Sequence, residues 1–325
     1  MNSAPNVDPK RLSIVIGFGL EPKYVERLRT NFPEIEFRLS SSKSELMEMV
    51  GDADALFGWP SDAVIAAGKK LRWMHILGAG ADGFTKAPVA DRGIVVTNGR
   101  GIAASNIAEH VLSLMFSFAR ALPTLARAQR EQEWTKSQNL RLFELSGQTL
   151  GIIGLGAIGQ SLASKARALG MNVLGARRSQ GAIPGVDQVF RTDQLPDLSA
   201  QVDHLVACVP GTPDSIGLLD ARVFSAMKQG SFFYNVGRGN TVVTEDLLQA
   251  MAQGTIAGAG LDVVDPEPLP KGHPLWHHPN VIMTSHTAGN TAQYWERGIV
   301  LFEQNLRAFV AKVPLTNTVD MARGY

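Results

Sequence analysis

One cysteine, Cys208, in 325 residues excludes an internal disulfide framework, as suits a reducing compartment. A charge of one sign is lacking too: 31 Lys and Arg against 30 Asp and Glu leave a net charge of +1. Such a balance provides no basic field for nucleic acid or an anionic membrane, and neither is expected as a partner. Long apolar runs are also scarce. The longest apolar-rich stretch, Val111 to Ala119, is too short to span a bilayer and is interrupted by Ser113 and Ser117. Met1 to Lys10 is polar and carries no apolar segment of the secretory kind. Neither a fixed-period repeat nor a low-complexity tract is present. With 45% hydrophobic and 19% charged residues, the composition is that of an ordinary globular chain. Its length suits about two domains, and a cytoplasmic setting is expected.

Glycine, by contrast, is plentiful and placed with purpose. The stretch Thr149 to Gln160 begins as a short apolar strand and turns at Gly154, Gly156 and Gly159, a G-x-G-x-x-G spacing. It continues as a helical segment, Ser161 to Leu169, stopped by Gly170, and then as a second apolar run from Met171 to Leu174. Strand, glycine turn, helix and strand form the βαβ context that a dinucleotide fingerprint requires. Gly154 makes the tight turn, Gly156 lets the backbone approach a pyrophosphate, and Gly159 lets the helix sit close to the sheet. The residues between and after them, Leu155, Ala157 and Ile158, complete the expected coenzyme-binding loop. The helix that follows turns its unpaired N–H groups and positive dipole end toward the phosphates.

Around this unit the chain alternates strands and helices. Buried-strand patterns occur at Leu12 to Gly17, Ile35 to Leu39, Ala53 to Phe57, Leu71 to Leu77 and Ile94 to Thr97, with helical segments between most of them. Further strands are expected at Asp203 to Val209, Ser231 to Val236, Ile256 to Val263 and Val281 to Thr284. This rhythm predicts an α/β fold of two Rossmann-like, doubly wound parallel-sheet domains. Gly17 and Gly19 form a glycine pair without the full fingerprint, so the first domain is not expected to bind a nucleotide. A long helix, Ser105 to Leu122, is read as a rigid crossing closed by Pro123, with another helical stretch to about Trp134. The final helix, Ala292 to Ala311, has apolar residues near a 3.6 period. A mid-chain fingerprint implies an inserted coenzyme domain, residues 101–290, within a discontinuous substrate domain, residues 1–100 and 291–325.

Three residues at the ends of predicted strands carry the chemistry. Arg238 follows Phe232 to Gly237, Glu267 follows the strand ending at Val264, and His286 follows Val281 to Ser285. In open parallel sheets the carboxyl ends of strands face the ligand crevice, so the three would converge on a nicotinamide. Hydride transfer to a 2-oxo acid suits them. The carbonyl oxygen needs a proton, which histidine delivers near neutral pH, and a neighbouring carboxylate favours the imidazolium. Arg238 would grip the acid with paired N–H donors. By contrast, His273, His277 and His278 suggest a metal site only superficially. Pro274 and Pro279 break helical presentation and no carboxylate completes a set, so no metal is expected.

On Gly154 to Gly159, Asn235-Val236-Gly237-Arg238-Gly239, Leu261 to Pro270 and Ser285-His286-Thr287-Ala288-Gly289, the chain resembles the D-isomer-specific 2-hydroxyacid dehydrogenase family. Upstream, Ile107 to Val111 and Leu77 to Asp82 match as well, so the resemblance covers nearly the whole chain. It implies Arg238 as the residue that binds and polarises substrate, Glu267 as orienter and His286 as acid/base. It further implies a turn at Ala79 and Gly80 that holds the substrate carboxylate through backbone N–H groups. Val209, Pro210, Thr212, Val236, Gly237, Asp262 and Gly289 would border the coenzyme, Asp262 on its nicotinamide side. The resemblance also implies a homodimer. Within the family the glyoxylate/hydroxypyruvate reductases are the nearest expectation. An NAD-dependent D-3-phosphoglycerate dehydrogenase, or a coenzyme-sensing binding protein like the corepressors built on this fold, are the alternatives.

One departure is informative. NAD-preferring folds place Asp or Glu about 20 residues beyond the glycines, on the ribose hydroxyls. Here the second strand runs into Ala176-Arg177-Arg178-Ser179, with no acid. Two guanidiniums and a hydroxyl suit a 2′-phosphate, so NADP(H) is expected to be preferred and NAD(H) still accepted. Trp59, after a strand, would face the substrate cleft and limit substrate size, or else pack in the core or on the surface. Trp134 reads as buried packing, with a neighbouring subunit's cleft as its other destination. Tyr294 and Trp295 read equally as pocket walls and helix packing, and Cys208 as a buried strand-end residue.

Overall fold

The computed structural model describes residues 12–81, 84, 89–179 and 181–321. Met1 to Lys10 and Asp82, both read above, lie outside the described residues. The chain divides into two compact units, Met1–Ile102 with Thr291–Tyr325, and Ala103–Asn290.

The first unit opens with strands and helices in alternation: β1 (Ser13–Ile16), α1 (Pro22–Asn31), β2 (Glu36–Leu39), α2 (Lys43–Met49), β3 (Ala55–Phe57), α3 (Asp62–Ala67), β4 (Trp73–Ile76) and β5 (Val95–Asn98). All strand pairings are parallel, in the order β2-β1-β3-β4-β5. β1, β3 and β4 are buried along their whole length, as strands covered on both faces must be.

The second unit continues with α4 (Ala104–Ala119), α5 (Leu122–Arg130), β6 (Thr149–Ile153), α6 (Ala157–Ala168), β7 (Asn172–Ala176), β8 (Gln188–Phe190), α7 (Leu195–Ser199), β9 (His204–Ala207), α8 (Ala221–Ala226), β10 (Ser231–Asn235), α9 (Thr244–Ala252), β11 (Ile256–Leu261) and β12 (Val281–Met283). Its seven-stranded parallel sheet runs β8-β7-β6-β9-β10-β11-β12. The order is that of the doubly wound dinucleotide fold, with its switch point between β6 and β9.

The chain then returns to the first unit as α10 (Ala292–Ala311). Thr291 caps this helix by accepting from the Tyr294 N–H at 3.1 Å. Aromatic packing explains the return. Phe302 stacks on Phe57 with ring centroids 4.1 Å apart and on Trp73 at 5.4 Å, and all three are fully buried. Glu303, only 4% exposed, accepts from Arg27 and Asn31 of α1, so its buried charge is paired.

Pro123 does not close the long helix as its sequence suggests. α4 stops at Ala119, Ala121 adopts a left-handed φ of 51°, and Pro123 sits in the first turn of α5. There its missing N–H costs nothing, because first-turn donors have no intrahelical partner. The stretch predicted to reach Trp134 ends at Arg130. The short elements β8, α7 and α8 lack the repeating pattern that a sequence reading needs.

Candidate active site

The glycine turn joins β6 to α6 at the switch point. Gly154 has φ +100°, and an added Cβ there would meet the Cys208 carbonyl oxygen at 2.8 Å. At Gly159 a Cβ would lie 2.1 Å from the Gly154 carbonyl oxygen, so only glycine lets α6 come this near. At Gly156, the residue before α6, a Cβ would meet nothing within 4 Å, leaving the helix start open to a ligand. Ala157 is exposed and Ile158 half-buried, whereas the Leu155 side chain is buried, packed over Gly175 of β7. Leu155 therefore has only its backbone to offer. Open N–H groups, positive helix end and absence of acid in the first turn fit a coenzyme pyrophosphate.

Arg238, Glu267 and His286 follow the carboxyl ends of three adjacent parallel strands, β10, β11 and β12. Glu267 and His286 meet, with Nδ1 of the histidine 2.9 Å from Glu267 Oε2. Ionised glutamate can only accept, so Nδ1 carries the hydrogen and Nε2 is left for exchange with a ligand. Both side chains remain accessible, 51% for His286 and 37% for Glu267. Glu267 is anchored in turn by the Val264 N–H, which donates to its Oε1 at 3.1 Å. The turn after β10 lies directly on this loop, since a Cβ at Gly239 would meet the Val264 carbonyl oxygen at 1.9 Å. The Arg238 carbonyl accepts from Asn235 Nδ2 and Thr241 Oγ1, and its Nη1 donates to the Gly237 carbonyl at 2.8 Å.

His286 has a left-handed φ of 55°, a conformation costing on the order of 1 kcal/mol or more for a non-glycine residue. Asp262, at the end of β11 and 4% exposed, holds it there. The Asp262 carbonyl accepts from the His286 N–H at 2.8 Å. Its carboxylate accepts from Thr284 Oγ1 at 2.5 Å and from the N–H groups of Thr287 and Ala288. The residue expected beside the nicotinamide thus has its oxygens engaged in the loop that carries His286. From α4, His110 Nε2 lies 3.0 Å from Thr284 Oγ1, and Asn106 Nδ2 donates to the carbonyls of Ala288 and Gly289. Sequence reading missed His110, Asn106 and Thr284. The available signal was Asn106 and His110, two amphoteric polar side chains four residues apart and so on one face of α4.

At the end of β7, Arg177 is half-buried while Arg178 and Ser179 are exposed. Arg178 Nη1 lies 3.5 Å from Asp214 Oδ2, in the loop after β9. That loop also carries Val209 and Pro210, both half-buried. Thr212, buried there, receives a cap from Ser215, whose hydroxyl lies 2.8 Å from the Thr212 N–H and 2.7 Å from the Pro210 carbonyl. Val236 and Gly237, after β10, are buried beside it, and a Cβ at Gly237 would sit 2.5 Å from the Val209 carbonyl oxygen.

In the first unit, Ala79 is exposed and Gly80 half-buried in the turn after β4, where Asn98 Nδ2 donates to the Ala79 carbonyl at 2.8 Å. Trp59, 46% exposed, belongs to an aromatic group with Phe18 and Trp295, whose rings lie 5.5 and 5.9 Å from Phe18. Tyr294 is buried and donates to the Leu77 carbonyl at 3.1 Å, so it packs the helix. Trp134, read as buried packing, is instead 97% exposed. Burial pushes the Cys208 thiol up to about 12, which makes it an inert residue beside β9. His273 Nδ1 accepts from the Leu275 N–H at 3.3 Å, a structural cap, and no metal-holding cluster occurs among the described residues. Nor, among those residues, is any helix long and apolar enough to cross a membrane.

A seven-stranded doubly wound sheet, a glycine turn open to a pyrophosphate and a hydrogen-bonded histidine–glutamate pair beyond the strand ends are features of a nicotinamide-dependent α/β oxidoreductase. Residues 112–288 match the model for the D-isomer specific 2-hydroxyacid dehydrogenase NAD binding domain. The chain is 36% identical to a glycerate dehydrogenase of Methylorubrum extorquens over 75% of its own length and 77% of the relative's. It is 30% identical to a D-3-phosphoglycerate dehydrogenase of Archaeoglobus fulgidus, over 95% of this chain and 59% of that protein. An NADPH-dependent glyoxylate/hydroxypyruvate reductase of Sinorhizobium meliloti, solved with NADP and sulfate, superposes with a TM-score of 0.84 at 26% identity, covering 97% and 100% of the two chains. The chain belongs to the D-isomer specific 2-hydroxyacid dehydrogenase family. It is an NAD(P)-dependent oxidoreductase of small 2-hydroxy and 2-oxo acids.

Proposed function

We propose that the chain is an NADPH-preferring reductase of a small 2-oxo acid of the glyoxylate/hydroxypyruvate type, producing a D-2-hydroxy acid. The observation that carries this reading is the 2.9 Å contact between His286 and Glu267 at the carboxyl edge of the coenzyme-type sheet. When bound, the reduced nicotinamide supplies hydride to the carbonyl carbon. His286 gives the proton to the carbonyl oxygen from Nε2, while Glu267 holds Nδ1–H and stabilises the imidazolium. Arg238 polarises the substrate, and backbone N–H groups at Ala79 and Gly80 take its carboxylate, with Trp59 bounding its size. Arg177, Arg178 and Ser179 receive the 2′-phosphate, a preference also supported by the NADP complex of the Sinorhizobium relative.

The arginine pair counts against the NAD-dependent phosphoglycerate dehydrogenase reading. A single free cysteine supports a cytoplasmic setting. Trp134, nearly fully exposed, supports a homodimer in which it anchors the second copy. Trp134→Ala should then weaken dimerisation by about 2 kcal/mol, read by sedimentation against concentration. An unchanged dissociation constant would remove Trp134 as the anchor.

The deciding experiment is a panel of glyoxylate, hydroxypyruvate, pyruvate and bulkier 2-oxo acids against both coenzymes. Equal kcat/KM with NADH and NADPH would remove the coenzyme preference. No turnover beside tight coenzyme binding would favour a sensor. His286→Ala should lower kcat by about 10²–10⁴ and leave NADPH binding nearly intact.

A further inference from the structure

We propose that His110 is a positioning residue, which holds the His286 loop through Thr284 and the Asp262 carboxylate. The direction of each hydrogen bond follows from chemistry. The Asp262 carboxylate accepts from two backbone N–H groups, and the Thr284 hydroxyl at 2.5 Å donates to it as well. With that hydrogen committed, Thr284 Oγ1 presents a lone pair to His110 Nε2 at 3.0 Å, so Nε2 carries the hydrogen. Donation by His110 polarises the hydroxyl and strengthens its bond to Asp262. Asp262 in turn accepts from the Thr287 and Ala288 N–H groups and, by its carbonyl, from the His286 N–H.

The loop needs such a hold because His286 occupies a left-handed conformation, with φ 55°, that persists only where its surroundings over-determine it. Asn106 lies one turn before His110, on the same face of α4, and grips the Ala288 and Gly289 carbonyls from the other side. Glu109, next to His110 on α4, accepts from Lys165 of α6 at 3.0 Å. One helix thus braces both the acid-base loop and the helix that follows the glycine turn.

This inference rests on His286 being the acid of the proposed reaction. His110→Leu should lower kcat by about 10- to 100-fold, the scale of a misplaced reacting group, with NADPH affinity within about twofold of the parent. His110→Gln, which returns an N–H donor near the same place, should recover most of the rate. Thr284→Val cuts the same link from the loop side, and combining it with His110→Leu should cost no more than either alone. If His110→Leu does not fold, Thr284→Val with Thr284→Ser as its rescue makes the same test. Full activity in His110→Leu, a Gln variant no better than Leu, or additive losses in the double variant would each overturn the proposal. An active His286→Ala would instead overturn the reaction reading. An inactive His286→Ala beside a fully active His110→Leu would defeat only the role of His110.

Discussion

Each unit has a glycine-bearing turn after its first strand, beside the switch point of its sheet, yet the two turns are built differently. After β6, Gly154 and Gly159 are sterically required, and α6 begins immediately after Gly156 with no acid in its first turn. After β1, a Cβ at Gly17 would meet only ordinary contacts at 3.6 Å, and one at Gly19 would meet nothing within 4 Å. Helix α1 begins later, at Pro22, which lacks an N–H, and is preceded by Glu21. Phe18, within that turn, packs on Phe57, Trp59 and Trp295. The number of glycines is therefore a poor guide. What distinguishes an anion-binding turn is how close the helix start lies to the strand, and whether donors or side chains fill the gap.

The sharpest way to break this contrast is Gly159→Val. Its Cβ would enter the space of the Gly154 carbonyl, so NADPH binding should fall by more than about a hundredfold, read by coenzyme fluorescence titration. Gly19→Ala, in the other turn, should change neither turnover nor stability by more than about 0.5 kcal/mol. Equal losses in the two variants would erase the distinction. Next in size, replacing Arg177 and Arg178 together by Ala should lower kcat/KM for NADPH by about a hundredfold, since two charge-assisted contacts at about 1.5 kcal/mol or more are lost. Activity with NADH should stay within a few-fold, and parallel loss with both coenzymes would show damage to the whole loop.

The smallest effect per step is acid sensitivity, and it compares the two cores. His75 of β4 and His204 of β9 are both fully buried, and burial depresses them to about 3 and about 4. Both folded values lie below the ordinary 6.5, so the unfolded chain takes up protons first. The stabilisation is complete above about 6.5 and is lost as pH falls toward the folded values. Each histidine should remove up to about 1.4 kcal/mol per pH unit in that window. His204 has both ring nitrogens bonded, to Tyr234 and Gln148, whereas His75 bonds Thr97 through Nδ1 alone among the described residues. Thermal midpoints from pH 7.5 to 5 in the parent and in His75→Leu would check this. A flat profile in the parent would contradict it.

Pro123 illustrates a limit of local reading. A proline in a sequence reads as a helix stop, but the first turn of a helix tolerates it, and only the left-handed Ala121 reveals which applies. His110 illustrates another. It shares a face of α4 with Asn106, four residues before it, but its partner Thr284 lies 174 residues away. Trp134 lies in a stretch whose sequence suggests packing, yet it is 97% exposed.

By itself the sequence determined whatever depends on neighbours along the chain. The glycine spacing, the strand-helix rhythm, the acid missing after β7 and the placing of Arg238, Glu267 and His286 at strand ends are all local, because backbone freedom and side-chain periodicity act over a few residues. Tertiary structure decided what depends on distant partners. Aromatic stacking brings α10 back to the first sheet, and Asp262 gathers Thr284, Thr287 and Ala288 around a strained His286. Hydrogen bonds and ring stacking act only within a few ångströms, and only the folded chain brings such remote residues that close.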